Sequence, residues 1–153
     1  MKRLPIVLFA ALSMFAGCKG KDSEAAKPTA LELKKLGLHI EVGGETNVGD
    51  AIMGDGVMIQ GESIGALQIE AMKAPKTLDD EKSDADMFSP KNLKAESLAD
   101  GWVVTFDNTG SMGANYFVTV RRDIAGKSYK CSTTGSDPGQ AKAVIAACKS
   151  LRS

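Results

Sequence analysis

The chain has 153 residues, 19 basic and 19 acidic, for a formal net charge of zero. Hydrophobic content of 43% and charged content of 25% are those of a globular protein and exclude a disordered one. No one-sided charge field is present to hold nucleic acid or an anionic lipid surface, so partners of those classes are not expected. Sparse aromatics (5%) and 16 glycines point to a turn-rich domain with an aliphatic core.

The chain opens with Met1-Lys2-Arg3, then an apolar run from Leu4 to Phe15, then Ala16-Gly17-Cys18. A basic start before a short apolar run is the pattern of an export segment. Twelve helical residues span about 18 Å, well short of a hydrocarbon core of roughly 30 Å. A permanent transmembrane helix is therefore not expected. An ordinary signal-peptidase cut before Cys18 would put the bulky Phe15 where that enzyme needs a small residue.

Phe15-Ala16-Gly17-Cys18 resembles the lipobox of bacterial lipoprotein precursors, with Phe15 standing where leucine is usual. The resemblance implies that residues 1–17 are removed as a signal peptide and that Cys18 is lipidated, in part by palmitate, as the first mature residue. Two or more acyl chains anchor a protein stably, so the membrane is the expected partner through Cys18 alone. Lys19, rather than aspartate, follows the cysteine; by the same resemblance this favours the outer membrane. With Cys18 given to lipid, Cys131 and Cys148 remain as an even pair in an oxidising setting, where a disulfide is expected.

Residues 18–33 read as a lipidated N-terminus and flexible tether, because Gly20–Ala30 is polar, small and without apolar periodicity. Residues 34–153 are expected to form a single globular domain. Leu36, Leu38, Ile40 and Val42 alternate as the buried face of a strand, which points His39 to solvent. Strands over 47–53 and 57–60 flank Gly54-Asp55-Gly56, and Ile64–Met72 reads as another. The period then changes: Thr77 is a candidate N-cap with acids behind it, predicting a short exposed helix over 78–87.

Leu93–Leu98 and Trp102–Asp107 flank Asp100-Gly101 as a hairpin, with Trp102, Val104 and Phe106 on one face. A strand over 115–121 puts Tyr116, Val118 and Val120 together, and Lys127–Cys131 follows the Ala125-Gly126 turn. Asp137 as N-cap, Pro138 at the first helical position and Gln140 in a capping box predict a final helix. Ala141, Val144, Ile145, Cys148 and Leu151 form its apolar stripe. A Cys131–Cys148 bond would staple that helix to the sheet. The expected fold is α+β: an antiparallel sheet of about six to eight strands, a short middle helix, and a C-terminal helix packed on the sheet.

Motifs that carry chemistry are scarce. Gly61-Glu-Ser63-Ile-Gly65 matches the letters of a nucleophile elbow, but that motif needs a strand–turn–helix setting and a histidine that follows the serine. His39 precedes Ser63, and the segment after Gly65 reads as a strand. The acids Asp79, Asp80, Glu81, Asp84 and Asp86 fail the calcium-loop pattern, since Phe88 and Ser89 occupy its fifth and sixth positions. They read better as a solvated helix face. A lone histidine and two paired cysteines fall short of a zinc site, so no metal and no cofactor is expected.

The lipobox resemblance and the scarcity of catalytic motifs together imply, as an expectation, a lipid-anchored bacterial cell-envelope protein with a non-enzymatic binding or structural domain. Two alternatives stand beside it: an envelope serine hydrolase using Ser63 and His39, and an assembly or secretion accessory factor that docks on a protein partner. The second would be favoured by an exposed strand edge or an apolar patch around Met53, Met58 and Met112.

Overall fold

Alternation of apolar and polar residues dominates the chain from Leu38 onward, and strands follow from it. The computed structural model describes residues 27–153 except 53, 112 and 136. The expected signal peptide, Cys18 and most of the expected tether lie outside the described residues, as do Met53 and Met112. The elements are β1 (Pro28–Leu33), β2 (Leu38–Gly43), β3 (Thr46–Asp50), β4 (Val57–Gly61), β5 (Gly65–Ala71), α1 (Leu78–Asp86), β6 (Lys91–Leu98), β7 (Gly101–Gly110), β8 (Gly113–Ile124), β9 (Lys127–Gly135) and α2 (Pro138–Lys149).

Seven strands form one antiparallel sheet in the order β3-β4-β5-β9-β8-β7-β6, and β1 pairs with β2 in a separate hairpin. The fold is α+β, with α2 packed on the sheet. Two meanders, β3-β4-β5 and β6-β7-β8-β9, meet where Ile69 on β5 pairs with Cys131 on β9. The link between them must cross from one side of the sheet to its far edge, and it carries α1.

One face of the sheet, the inner face, is dry. Val57 and Ile59, Leu67 and Ile69, Val118 and Val120, and Tyr129 and Cys131 project from it. They meet Leu33, Leu38, Ile40 and Val42 of the hairpin and Val144, Ala147, Cys148 and Leu151 of the last helix and its exit. Each such aliphatic side chain contributes about 1.5–3 kcal/mol by leaving water. Arg122 fixes the end of α2, donating to the Cys148 carbonyl at 3.0 Å while Asp100 holds its other nitrogens at 2.7 and 3.0 Å. The backbones of Arg152 and His39 exchange two hydrogen bonds, at 2.8 and 3.0 Å, which ties the chain's end to β2.

Three local expectations are corrected. The segment 28–33, assigned to the tether, is a strand in full antiparallel register with β2, from Pro28 opposite Gly43 to Leu33 opposite Leu38. Its own sequence is weakly apolar; pairing with β2 and burial of Leu33 hold it. Leu36 lies in the turn before β2, half-buried, because Gly37 adopts φ +65° and reverses the chain there. Gln140 forms no capping box: its amide donates to the Glu62 carbonyl at 3.0 Å, pinning α2 to the β4–β5 turn, and Asp137 alone caps the helix through Gly139 N–H.

Gly101 illustrates what a tight turn demands. It has φ +148° between β6 and β7, and a Cβ there would sit 1.9 Å from the Arg121 carbonyl oxygen. No other residue fits.

Candidate binding cleft

The inner-face residues of β5, β8 and β9 are apolar, so by the two-residue period their neighbours point the other way. These are Gln68 and Glu70, Phe117 and Thr119, and Lys130, Ser132 and Thr134. Only part of this outer face is covered. Thr77 caps α1 in a reciprocal box with Asp80, and α1 lies against β6 and β7, over Trp102, Val104 and Phe106.

Two anchors hold α1 in place. Ahead of it, the Lys76 carbonyl accepts from Trp102 Nε1 at 3.2 Å and from the Arg121 guanidinium at 3.0 Å. Behind it, the Phe88 carbonyl accepts from Asn108 Nδ2 at 3.1 Å. Ala85 is the helix's one buried residue. Side-chain donors from the sheet therefore fix a helix that has little core of its own.

Between α1 and the β3–β4 turn the outer face remains open as a cleft of about 1010 Å³. Its floor follows the register: Met58, Gln68, Ser132 and Thr119 stand in one row across β4, β5, β9 and β8. Its wall is aromatic. Phe106 and Phe117, cross-strand neighbours, stack with centroids 4.4 Å apart at 10°, and Phe88 leans on Phe117 at 5.5 Å. Of the five phenylalanines, all three beyond the N-terminal apolar run meet here. Phe88 is nonetheless 49% exposed and Met87 77%.

Four of the charged residues lining the cleft are paired. Glu70 and Lys130 pair at 2.7 Å across β5 and β9. Lys76 pairs with Asp84, and that bond holds the lysine ammonium above its ordinary range. The arrangement can present a stacking surface and hydroxyls to a ligand.

Of the residues singled out from the sequence, Met58, Glu81 and Asp84 line the cleft, whereas Ser63, His39 and the Cys131–Cys148 pair lie elsewhere. Ser63 sits in the β4–β5 turn and donates to the Gly43 carbonyl at 2.6 Å. Its setting is strand–turn–strand rather than strand–turn–helix. His39 is exposed on β2, opposite Glu32. Asp79, Asp80 and Asp84 are engaged by Lys82, Thr77 and Lys76 in turn. Among the described residues no group of three or more His, Cys, Asp or Glu could hold a metal ion. Cys131 and Cys148 are joined, with Cα atoms 6.0 Å apart, on the inner face and away from the cleft.

Phe88 and Phe117 were not foreseen as a site. The signal was present for Phe117, which alternates with Val118 and Val120 and so must face outward with Phe106. Phe88 offered none, since it follows a helix end and no period applies. Compared with known proteins, the chain matches no family model and no curated relative.

Proposed function

We propose that this chain is a lipid-anchored protein of the bacterial cell envelope whose folded domain binds rather than catalyses, with the outer-face cleft as its binding surface. The anchoring half rests on the Leu4–Cys18 run and its lipobox-like end. The binding half rests on one observation: three phenylalanines converge on a cleft whose wall is fixed at both ends by sheet donors. A half-exposed aromatic on a rigid support is a feature of binding surfaces, where large amphipathic contact area comes at low entropy cost.

Acyl chains at Cys18 would supply all the membrane attachment, leaving the domain's surface for its ligand. Among the described residues no helix is long and apolar enough to cross a membrane. Mass spectrometry of the mature N-terminus tests the anchor. The expected product begins at Cys18 with a diacylglyceryl thioether and partitions with outer membranes, and Cys18→Ser abolishes both. A mature chain with an unmodified Cys18 would refute the anchor.

A further inference from the structure

We propose that the cleft takes a neutral glycan segment, with a sugar ring on the Phe88–Phe117 surface and its hydroxyls over Ser132 and Thr119. This deepens the binding-cleft reading and rests on it.

The floor of the cleft supplies hydroxyls. Ser132 and Thr119 face each other across β9 and β8, and Thr134 pairs with Phe117 one step along. Adjacent strands lie about 4.8 Å apart, close to the span between hydroxyls across a pyranose ring. Ser132 and Thr119 are half-buried, so a hydroxyl that meets them is partly shielded from water, where its hydrogen bond counts for more. Thr119 and Phe117 stand two residues apart on the same face of β8, so polar floor and aromatic wall meet along that strand. A sugar has that same division, with C–H groups on its ring faces and hydroxyls round its rim.

Charge and hydrogen-bonding balance decide against other occupants. Glu70–Lys130 and Lys76–Asp84 neutralise each other. Of the remaining charged groups lining the cleft, Asp55, Lys73 and Glu81 gather no single sign. At Glu70–Lys130 and Lys76–Asp84 an ionic ligand would have to break an existing pair, and the other three offer it no cluster of one sign. An acyl chain would strip water from Ser132, Thr119 and both ion pairs and return no hydrogen bond, which is unfavourable. A peptide main chain finds no ladder along the Met58–Gln68–Ser132–Thr119 row, because β4, β5, β9 and β8 pair with one another there. A neutral polyol satisfies floor and wall together.

The test uses the full chain with Cys18→Ser, so that it does not depend on the anchor. Backbone amide shifts are followed during titration with three neutral probes (cellotetraose, maltotetraose and the N-acetylglucosamine tetramer) and, separately, with sub-micellar dodecylphosphocholine. The expected result is a saturable shift at Phe88, Phe117, Thr119 and Ser132 with at least one sugar. Phe88→Ala is expected to weaken it about ten-fold, the loss of one stacking contact, and Ser132→Val to weaken it with unchanged thermal midpoint. Shifts at these residues with dodecylphosphocholine alone would overturn the glycan assignment and keep the binding cleft. Silence at these residues with every probe would overturn the glycan assignment and withdraw support from the cleft as well.

Discussion

The two faces of the seven-stranded sheet are made from the same strands and do opposite things. Inward, Leu67, Ile69, Val118, Val120 and Cys131 are sealed under the β1–β2 hairpin and α2. Outward, their immediate neighbours Gln68, Thr119 and Ser132 line an open cleft. Backbone geometry is shared, so the contrast is one of side-chain chemistry and cover alone. The inner face is also cross-braced by a disulfide, the Arg122 bonds to the end of α2, and the His39–Arg152 bridge. The outer face is held by three side-chain hydrogen bonds to the carbonyls flanking α1. Rigidity is concentrated on one side of the strands, and the other side inherits it as a fixed floor.

That division is open to measurement. Leu67→Ala, fully inside, should lower unfolding free energy by about 2–5 kcal/mol in urea titration; a loss no larger than that of an outer-face change would erase the contrast. Removing the 17-residue closure with Cys131→Ser and Cys148→Ser together should lower it by about 3 kcal/mol. Dithiothreitol should reproduce the shift in the unmutated chain and leave the double variant unmoved.

On the outer side the effects should shrink. Thr77→Ala removes the N-cap of α1 at a cost of about 1 kcal/mol. The Thr77 hydroxyl and amide also hold the Asp80 carboxyl below its ordinary value of 3.8. Its folded-state pKa being lowered, the contribution is present above the unfolded value and is lost as pH falls through the folded one. The difference between Thr77→Ala and the unmutated chain should therefore narrow on acidification below about pH 4, as thermal melts at pH 3 and 7 would reveal. Glu70→Gln breaks the partly exposed pair with Lys130 and should change stability by only about 0.5 kcal/mol.

Much of this architecture is legible one residue at a time. Alternation at Leu38-Ile40-Val42 and at Trp102-Val104-Phe106 marks strands and their buried faces, because the side-chain period of a strand is two whatever it pairs with. Thr77 and Asp137 mark helix starts, because capping involves only groups a few residues apart. Val103 exposes the limit of such reading. It is buried as deeply as its neighbours, since β7 is covered on both sides, by α1 and by the inner core. β1 escaped notice for a related reason: PTALEL has little pattern of its own, and its order comes from β2.

By itself, then, the sequence determined the α+β class, the faces of most strands and the two helices with their N-caps, while the pairing of Cys131 with Cys148 followed by parity only with Cys18 set aside through its resemblance to a lipobox. Each depends on short-range periodicity, local capping or cysteine parity. The tertiary structure alone decided that β5 lies beside β9, that α1 covers only one end of the outer face, and that Phe88, Phe106 and Phe117 converge. Those outcomes turn on contacts between residues far apart in the chain, where several pairings would satisfy the same local pattern and only packing selects among them.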